Sequence, residues 1–144
     1  MGGFEIRRAT TVPELLAAAP LYDAPPRPEW AAAFLAAPGH LMLIGHAPDG
    51  SVAGFVSGIE MRHPDKGVEL CLYELCVAEA HRRQGLGRAL TEALAAEARA
   101  RGCYGMWVGV DLDNEAALRT YTAAGAVDEG TFTMRGWTFP PDAP

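Results

Sequence analysis

The chain has 144 residues, of which 49% are hydrophobic and 21% charged, and its formal net charge is -6 at pH 7. A chain of this size can bury a core that is large enough to fold without a metal or a disulfide. The composition excludes collagen-like and disordered classes, and no apolar run approaches the roughly 18 residues that a membrane span requires. The acidic balance disfavours a nucleic-acid binder, which needs a basic surface. We therefore expect one domain over residues 1–144, with neither nucleic acid nor a membrane as partner.

The cysteines and the start of the chain indicate the compartment. Cys71, Cys76 and Cys103 are odd in number and form no Cys-x-x-Cys pair, which argues against a disulfide framework and a zinc site. The four histidines show no ligand-like spacing with acids or cysteines, so no metal is expected. The first residues lack the basic and apolar segments of a secretion signal. These features predict a cytoplasmic location.

The first half of the chain predicts a strand, two helices and a hairpin. Thr11 and Glu14 form a capping-box pattern where the first helix begins, and Pro38 with Gly39 ends the second. A Pro-Asp-Gly turn joins the two strands of the hairpin. The expected elements are a strand at Phe4–Arg8, a helix from Thr11 to near Pro20, a helix carrying Trp30, Phe34 and Leu35, and strands at Leu41–Ala47 and Val52–Met61.

The second half predicts strands that alternate with helices. Apolar residues recur at helical spacing after Leu86, and Gly102 and Gly125 are expected to end two helices. The expected elements are strands at Leu70–Val77 and Tyr104–Val110, helices from Leu86 to Gly102 and from Asn114 to Ala124, and two weak closing strands within Val127–Phe139. This order predicts an α/β (α+β) fold, a mixed sheet flanked by helices.

The strand that ends at Val77 leads through a loop rich in arginine and glycine into the helix that begins at Leu86. A helix start offers free amides and a positive dipole end, and glycines let a phosphate approach the backbone. The loop has no Gly-Lys-Ser/Thr sequence, and Leu90 stands where a dinucleotide fingerprint requires Gly or Ala. The pattern therefore predicts a phosphate-binding loop of another type.

Arg82, Gly85 and Gly87 match the pattern Arg/Gln-x-x-Gly-x-Gly, and with them the chain resembles the GNAT superfamily of acetyl-CoA-dependent N-acetyltransferases. The resemblance covers the element order of most of the chain. It is strongest in Tyr-Glu-Leu-Cys-Val, His-Arg-Arg-Gln-Gly-Leu and Ala-Leu-Arg-Thr-Tyr-Thr-Ala-Ala-Gly, whose spacing is similar to the aminoglycoside 3-N-acetyltransferase branch. It implies a GNAT-like fold with acetyl-CoA as cosubstrate. The implied coenzyme-binding residues are Leu75, Cys76, Val77, Arg82, Arg83, Gln84, Gly85, Leu86, Gly87, Arg88, Asn114, Ala117 and Tyr121.

The same resemblance implies catalytic roles. Tyr121 shares a helix face with Asn114, and the family pattern places it beside the coenzyme sulfur, where it would protonate the leaving thiolate. Backbone amides near Cys76 and Val77 are expected to stabilise the oxyanion. Glu74 is the expected base for the acceptor amine.

Strand alternation leaves the base open. Regular alternation puts Glu74 on one face with Leu72 and Cys76, and puts Tyr73 on the other face with Cys71, Leu75 and Val77. If the acceptor lies on the face of Tyr73, the base is instead Glu69, Asp111 or a chain of waters.

The sequence thus predicts an N-acetyltransferase that acts on a primary amine of a small, aminoglycoside-like or polyamine acceptor by direct attack in a ternary complex. The negative charge fits a cationic acceptor, although it fits simple solubility equally well. Two alternatives stay open, a protein or peptide N-acetyltransferase and a non-catalytic acyl-CoA-binding module. By the same family resemblance, a homodimer through edge strands after Gly125 is an expectation.

Overall fold

In a computed structural model, which describes residues 3–141, one five-stranded sheet carries helices on both faces. Strands β1 to β4 are antiparallel neighbours, and the last strand is parallel to β4. Across the sheet the strands lie in the order β1 (Glu5–Arg8), β2 (His40–His46), β3 (Val52–His63), β4 (Gly67–Val77) and β5 (Met106–Trp107). The predicted mixed sheet flanked by helices is confirmed.

The helices begin where the sequence provides caps. Thr11 Oγ1 accepts a hydrogen bond from the Glu14 amide (3.3 Å), and Asn114 Oδ1 accepts one from the Ala117 amide (3.1 Å). Gly125, with φ of 101°, follows the last helix as expected. The four helices are α1 (Val12–Ala17), α2 (Pro28–Ala36), α3 (Leu86–Ala100) and α4 (Glu115–Ala123), with short 3-10 turns at Ala19–Leu21 and Glu79–His81.

The sheet separates two apolar clusters. Helices α1 and α2 cover one face, on which Met42, Ile44 and Phe55 are buried. Helix α3, joined by α4, covers the other face with a row of buried leucines. Glycine lets α3 lie close to the sheet, because a Cβ on Gly54 would come within 3.3 Å of both Leu86 and Leu90. The close packing fixes the start of α3 beside the end of β4.

Two strand predictions are wrong. The strand expected at Tyr104–Val110 pairs only at Met106–Trp107. The two closing strands expected within Val127–Phe139 are absent, and Trp137 there is 80% exposed. Alternating side chains give a segment the pattern of a strand, but a strand also needs an edge to pair with, and this segment lies away from its own sheet.

Among the residues described, no helix combines the length and the apolar character needed to cross a membrane. Within that same part of the chain, no three His, Cys, Asp or Glu side chains are grouped so that they could hold a metal ion.

Candidate active site

Strands β4 and β5 diverge and leave a cleft. They pair at Leu70–Met106 and at Cys71–Trp107, and from Leu72 to Val77 the described residues provide no strand partner on this side of β4. Because the Ala78 amide donates to Ala53 on β3 (2.8 Å), alternation directs the amides of Leu75 and Val77 to the open edge and that of Cys76 toward β3. An extended ligand that carries amides can pair with this edge as a further strand would.

The loop between β4 and α3 presents free amides. Arg83 and Gly85 adopt left-handed backbone conformations, with φ of 64° and 82°. The first hydrogen bond inside α3 runs from the Ala89 amide to the Gly85 carbonyl (3.0 Å). The amides of Leu86, Gly87 and Arg88 therefore lack partners within the helix and point, with the positive end of its dipole, toward the loop. This geometry suits a phosphate or pyrophosphate.

Side chains of the loop either brace it or reach outward. Arg82 Nε donates to the Val77 carbonyl (3.1 Å), which ties the loop to the open end of β4. Gln84 Nε2 donates to Ala80 (3.5 Å). Arg83 is exposed, and Arg88 is exposed beside Glu92 (3.4 Å). Arg82 and Gln84 thus shape the loop, Arg83 is exposed to solvent, and Arg88 forms an exposed ion pair with Glu92.

Tyr121 lies on α4 where this helix meets the start of α3. A Cβ on Gly87 would lie 3.3 Å from Thr120 Cγ2, so the two helices touch beside the loop. The Tyr121 side chain is nine-tenths buried in the cluster that includes Leu75 and Val77. Burial raises the pKa of its hydroxyl, which therefore stays protonated at neutral pH. The structure brings a proton donor to the α3 face of the open strand.

A β-bulge decides which way Glu74 faces. Ser57 pairs with Glu74 and Gly58 pairs with Leu72, so Tyr73 is an extra residue without a partner on β3. Leu72 packs with the α3-side cluster, whereas Glu74, opposite Ser57, faces the side of α1 and α2. The expectation that Glu74 and Leu72 share a face is wrong, because the bulge inserts one residue between them.

The bulge also separates the residues that the sequence places on one sheet face with Tyr73. Leu75 and Val77 lie with Leu72 on the α3 side. Cys71, opposite Ile59, lies on the side of α1 and α2. The predicted common face of Cys71 with Leu75 and Val77 is therefore wrong for the same reason.

Glu74 faces a cluster of polar groups near the loop after α1. Burial, and next the carboxylate of Asp23, raises the pKa of Glu74. Burial, and next the charge of Glu74, raises the pKa of Tyr22. Beside them lies an open cavity of about 390 Å³, lined by Ala19, Pro20, Tyr22, Asp23, Ala24, Pro25 and Pro26. A carboxyl group with a raised pKa, close to Asp23 in the wall of an open cavity, is suited to receive a proton from a cationic amine.

The other candidate bases are less well placed. His63 Nε2 lies 2.8 Å from Glu69 Oε1, and this contact lowers the pKa of Glu69 and makes it a weaker base. Both residues lie at the far end of the β3–β4 hairpin. Asp111 is exposed in the segment before α4.

Residues 8–126 match the sequence model of the acetyltransferase (GNAT) family. The chain belongs to this family. This match confirms the GNAT superfamily that the sequence predicts. The open edge of β4 and the free amides at the start of α3 fit an amide-bearing arm that ends in a pyrophosphate.

The relatives act on two kinds of acceptor. Over 57 residues the chain is 40% identical to [ribosomal protein bS18]-alanine N-acetyltransferase of Escherichia coli strain K12, and this match spans 40% of the chain and 38% of the relative. The crystal structure of the aminoglycoside acetyltransferase meta-AAC0020, from an uncultured soil metagenomic sample and in complex with trehalose, has a TM-score of 0.87 at 17% identity and covers 95% of this chain and 97% of that one.

Ribosomal-protein-alanine N-acetyltransferase from Brucella melitensis biovar Abortus 2308 has a TM-score of 0.73 at 23% identity, and the two chains are covered to 93% and 100%. At such identities the solved structures show the same fold, and the acceptor has to be argued from this chain's own residues.

Two polar residues near Glu74 carry no local sequence signal. The charge of Asp23 raises the pKa of Glu74. The ring of Tyr22 packs edge-on against Phe55, with centroids 5.3 Å apart, in the cluster below α1 and α2. Neither residue belongs to a local motif, because each reaches the site only through the packing of α1 and α2 on the sheet.

Proposed function

We propose that this enzyme transfers the acetyl group of acetyl-CoA to a primary amine of a small, multiply cationic acceptor of the aminoglycoside or polyamine kind. The observation that carries the proposal is the position of Glu74, which the bulge turns toward Asp23 and the adjoining cavity. Two carboxyl groups beside an open cavity attract ammonium groups. The acceptor then lies across β4 from the α3 side, where Tyr121 and the anion-binding amides lie.

Each step of the transfer needs a group that the chain provides. The amides of Leu86, Gly87 and Arg88 bind the pyrophosphate, and the open edge of β4 aligns the amide-bearing arm. Acetyl-CoA supplies an acetyl group on a thioester. The amide of Val77 is the oxyanion donor at the open edge, an interaction worth on the order of 3 kcal/mol.

Protons move at two side chains. Glu74 accepts the proton that the acceptor ammonium must lose before its nitrogen can attack the carbonyl carbon. Tyr121 donates its proton to the sulfur as the carbon–sulfur bond breaks, so that coenzyme A leaves as a thiol. The second proton that the nitrogen loses on becoming an amide restores the Tyr121 hydroxyl. An amide, a free thiol and a proton are the products.

A second class of acceptor is the N-terminal amine of a protein. The 40% identity to the alanine N-acetyltransferase over 57 residues favours it. The exposed Tyr73 beside Glu74 on β4 would then meet a peptide chain. A binding module without catalysis is the remaining alternative, and it would release no coenzyme A.

Release of coenzyme A from acetyl-CoA distinguishes these acceptors. The panel is a polyamine, an aminoglycoside, an uncharged monoamine analogue and a peptide that begins with alanine, each at low and high salt. We expect the cationic acceptors to give the highest kcat/KM, and their KM to rise with ionic strength because salt screens Asp23 and Glu74. Preference for the peptide, or an equal salt response for charged and uncharged amines, would contradict the proposal.

We also propose that the enzyme is a homodimer in which residues 127–139 pair with a second copy. The sequence predicts two weak strands within this segment, and its large apolar side chains are exposed: Val127, Phe132, Met134, Trp137 and Phe139. Strand β5 is the last strand of the sheet, and it pairs only with β4. The same chain thus carries an open sheet edge and an unpaired segment that matches it, so a second copy satisfies both.

A further inference from the structure

Ser57 on β3 is buried without a hydrogen-bond partner. Its side chain is 3% exposed, and its hydroxyl contacts no donor or acceptor at hydrogen-bond distance among the described residues. Buried polar groups in native proteins are almost always paired, so an exception calls for a reason. A serine at this position that served only to fill space would be replaced at no cost by alanine.

The position of Ser57 relative to Glu74 supplies the reason. The two residues are direct partners in the antiparallel pairing of β3 and β4. Partners of this kind share a face, with Cβ atoms about 4.5 to 5.5 Å apart. Since the bulge at Tyr73 is what brings Glu74 to this face, the hydroxyl and the carboxylate are neighbours only because of it. A glutamate side chain is long enough to reach across a separation of this size.

The other polar groups on this face are engaged, unsuitable as donors, or further from Glu74. The last case is His40, whose buried Nδ1 also lacks a partner among the described residues. The Tyr22 hydroxyl donates to the Leu15 carbonyl (2.7 Å). Burial raises the pKa of Cys76, so its thiol stays neutral and is a weak donor. Asp23 is a carboxylate and repels Glu74. His40 lies further along β2, opposite Ile59, with its ring edge-on to Phe34.

We propose that Ser57 is a positioning residue, whose hydroxyl donates a hydrogen bond to the Glu74 carboxylate and holds it toward the acceptor amine. This inference rests on the proposed function, in which Glu74 is the base. A hydroxyl that donates to an ionised carboxylate forms a short, strong hydrogen bond and stabilises the ionised form. Ser57 thus opposes the two influences that raise the pKa of Glu74, which are burial and the charge of Asp23.

Titration of Glu74 in the Ser57→Ala variant tests the hydrogen bond directly. The carboxyl carbon of Glu74, followed by NMR as a function of pH, is expected to show a pKa about one unit higher in Ser57→Ala than in the wild type. The acidic limb of the kcat/KM profile is expected to move up by the same amount, because less of the base is ionised. The melting temperature is expected to change little, because the loss of one hydrogen bond is offset by no longer burying a hydroxyl group.

Two further variants serve as controls. Ser57→Thr keeps a hydroxyl at the same atom and is expected to keep the wild-type pKa of Glu74. Ser51→Ala removes an exposed serine hydroxyl that bonds Asp49 (2.6 Å) in a distant turn, and it is expected to leave the pKa of Glu74 unchanged. An unchanged pKa of Glu74 in Ser57→Ala would overturn the proposal. A loss of activity by the same factor at every pH, together with a lower melting temperature, would also overturn it, because a structural residue has that effect.

Glu74→Gln separates this inference from the function on which it rests. If Glu74→Gln retains wild-type turnover and the acidic limb, Glu74 is not the base, and both proposals fail. If Glu74→Gln removes the acidic limb of the kcat/KM profile while Ser57→Ala leaves that limb at its wild-type pH, the assignment of Glu74 as base stands. Only the role of Ser57 is then wrong. The NMR titration needs no acceptor, so its result does not depend on the identity of the substrate.

Discussion

The hydroxyl of Tyr121 belongs to a side chain that is nine-tenths buried in the α3-side cluster, and burial raises its pKa. A group that remains protonated well above neutral pH can donate to a thiolate throughout the working range. We predict that Tyr121→Phe folds and binds acetyl-CoA with unchanged affinity, while turnover falls by about ten- to a thousandfold, since one general acid contributes on this order. Turnover is measured with the best acceptor of the panel, and affinity by calorimetry.

Tyr104→Phe is the matched control for this prediction. Tyr104 is 55% exposed beside His63 at the far end of the sheet, so its hydroxyl should not affect turnover. If Tyr121→Phe turned over as fast as Tyr104→Phe, the leaving thiolate would have to take its proton from water or from another residue.

The residue types that carry the chemistry could be predicted from the sequence. The face of the sheet to which the Glu74 side chain points could not. Tyr121 and Glu74 stand in recognisable segments, and the structure places both along the open part of β4. The bulge at Tyr73 leaves no local signal, because it is a property of how two strands pair. Asp23 comes near Glu74 only because α1 and α2 pack on the sheet, and residue spacing along the chain does not predict that packing.

At the scale of elements, the start of α3 and the loop before it form the anion site. Gly85 has φ of 82° and lies next to the three free amides of the helix start. We predict that Gly85→Asp loses acetyl-CoA binding, because a carboxylate there would occupy the phosphate position and repel it. Calorimetry measures the affinity, and circular dichroism verifies that the variant folds.

Gly102 provides a control at the other end of the same helix. Its φ of 81° imposes the same backbone strain on an aspartate, and no atom lies within 4 Å of an added Cβ. Gly102→Asp is therefore expected to lose similar stability and to keep coenzyme affinity. Equal affinity in the two variants would mean that the pyrophosphate binds elsewhere.

Helices were easier to predict than strands for a physical reason. The caps at Thr11, Asn114 and Gly125 act within one turn of their own helix, so the sequence contains the whole signal. A strand exists only when an edge receives it. The short pairing of Met106–Trp107 and the absence of closing strands in the described part of the chain both depend on how segments pair in space, which the local sequence does not determine.

At the scale of the whole molecule, the apolar surface is concentrated after α4. Phe132 is 89% exposed, Met134 96% and Phe139 77%, and they follow one another in a segment of fewer than twenty residues. Soluble monomers rarely expose a contiguous apolar surface of this kind. Strand β5, which forms an open edge of the sheet, lies in the same C-terminal half of the sequence as this apolar segment. Association of two copies would remove both from water.

Self-association is therefore expected to depend on the C-terminal segment. We predict that the wild type sediments as a dimer and that Trp137→Asp shifts it to monomer, because a charge at a side chain 80% exposed in the monomer would become buried in the dimer. Sedimentation velocity at several concentrations measures the shift. Trp30→Asp, at an exposed tryptophan of α2 stacked under Arg27 (4.4 Å), is the control and should remain dimeric. A wild type that stays monomeric, or a Trp137→Asp variant that stays dimeric, would show that this segment does not join two copies.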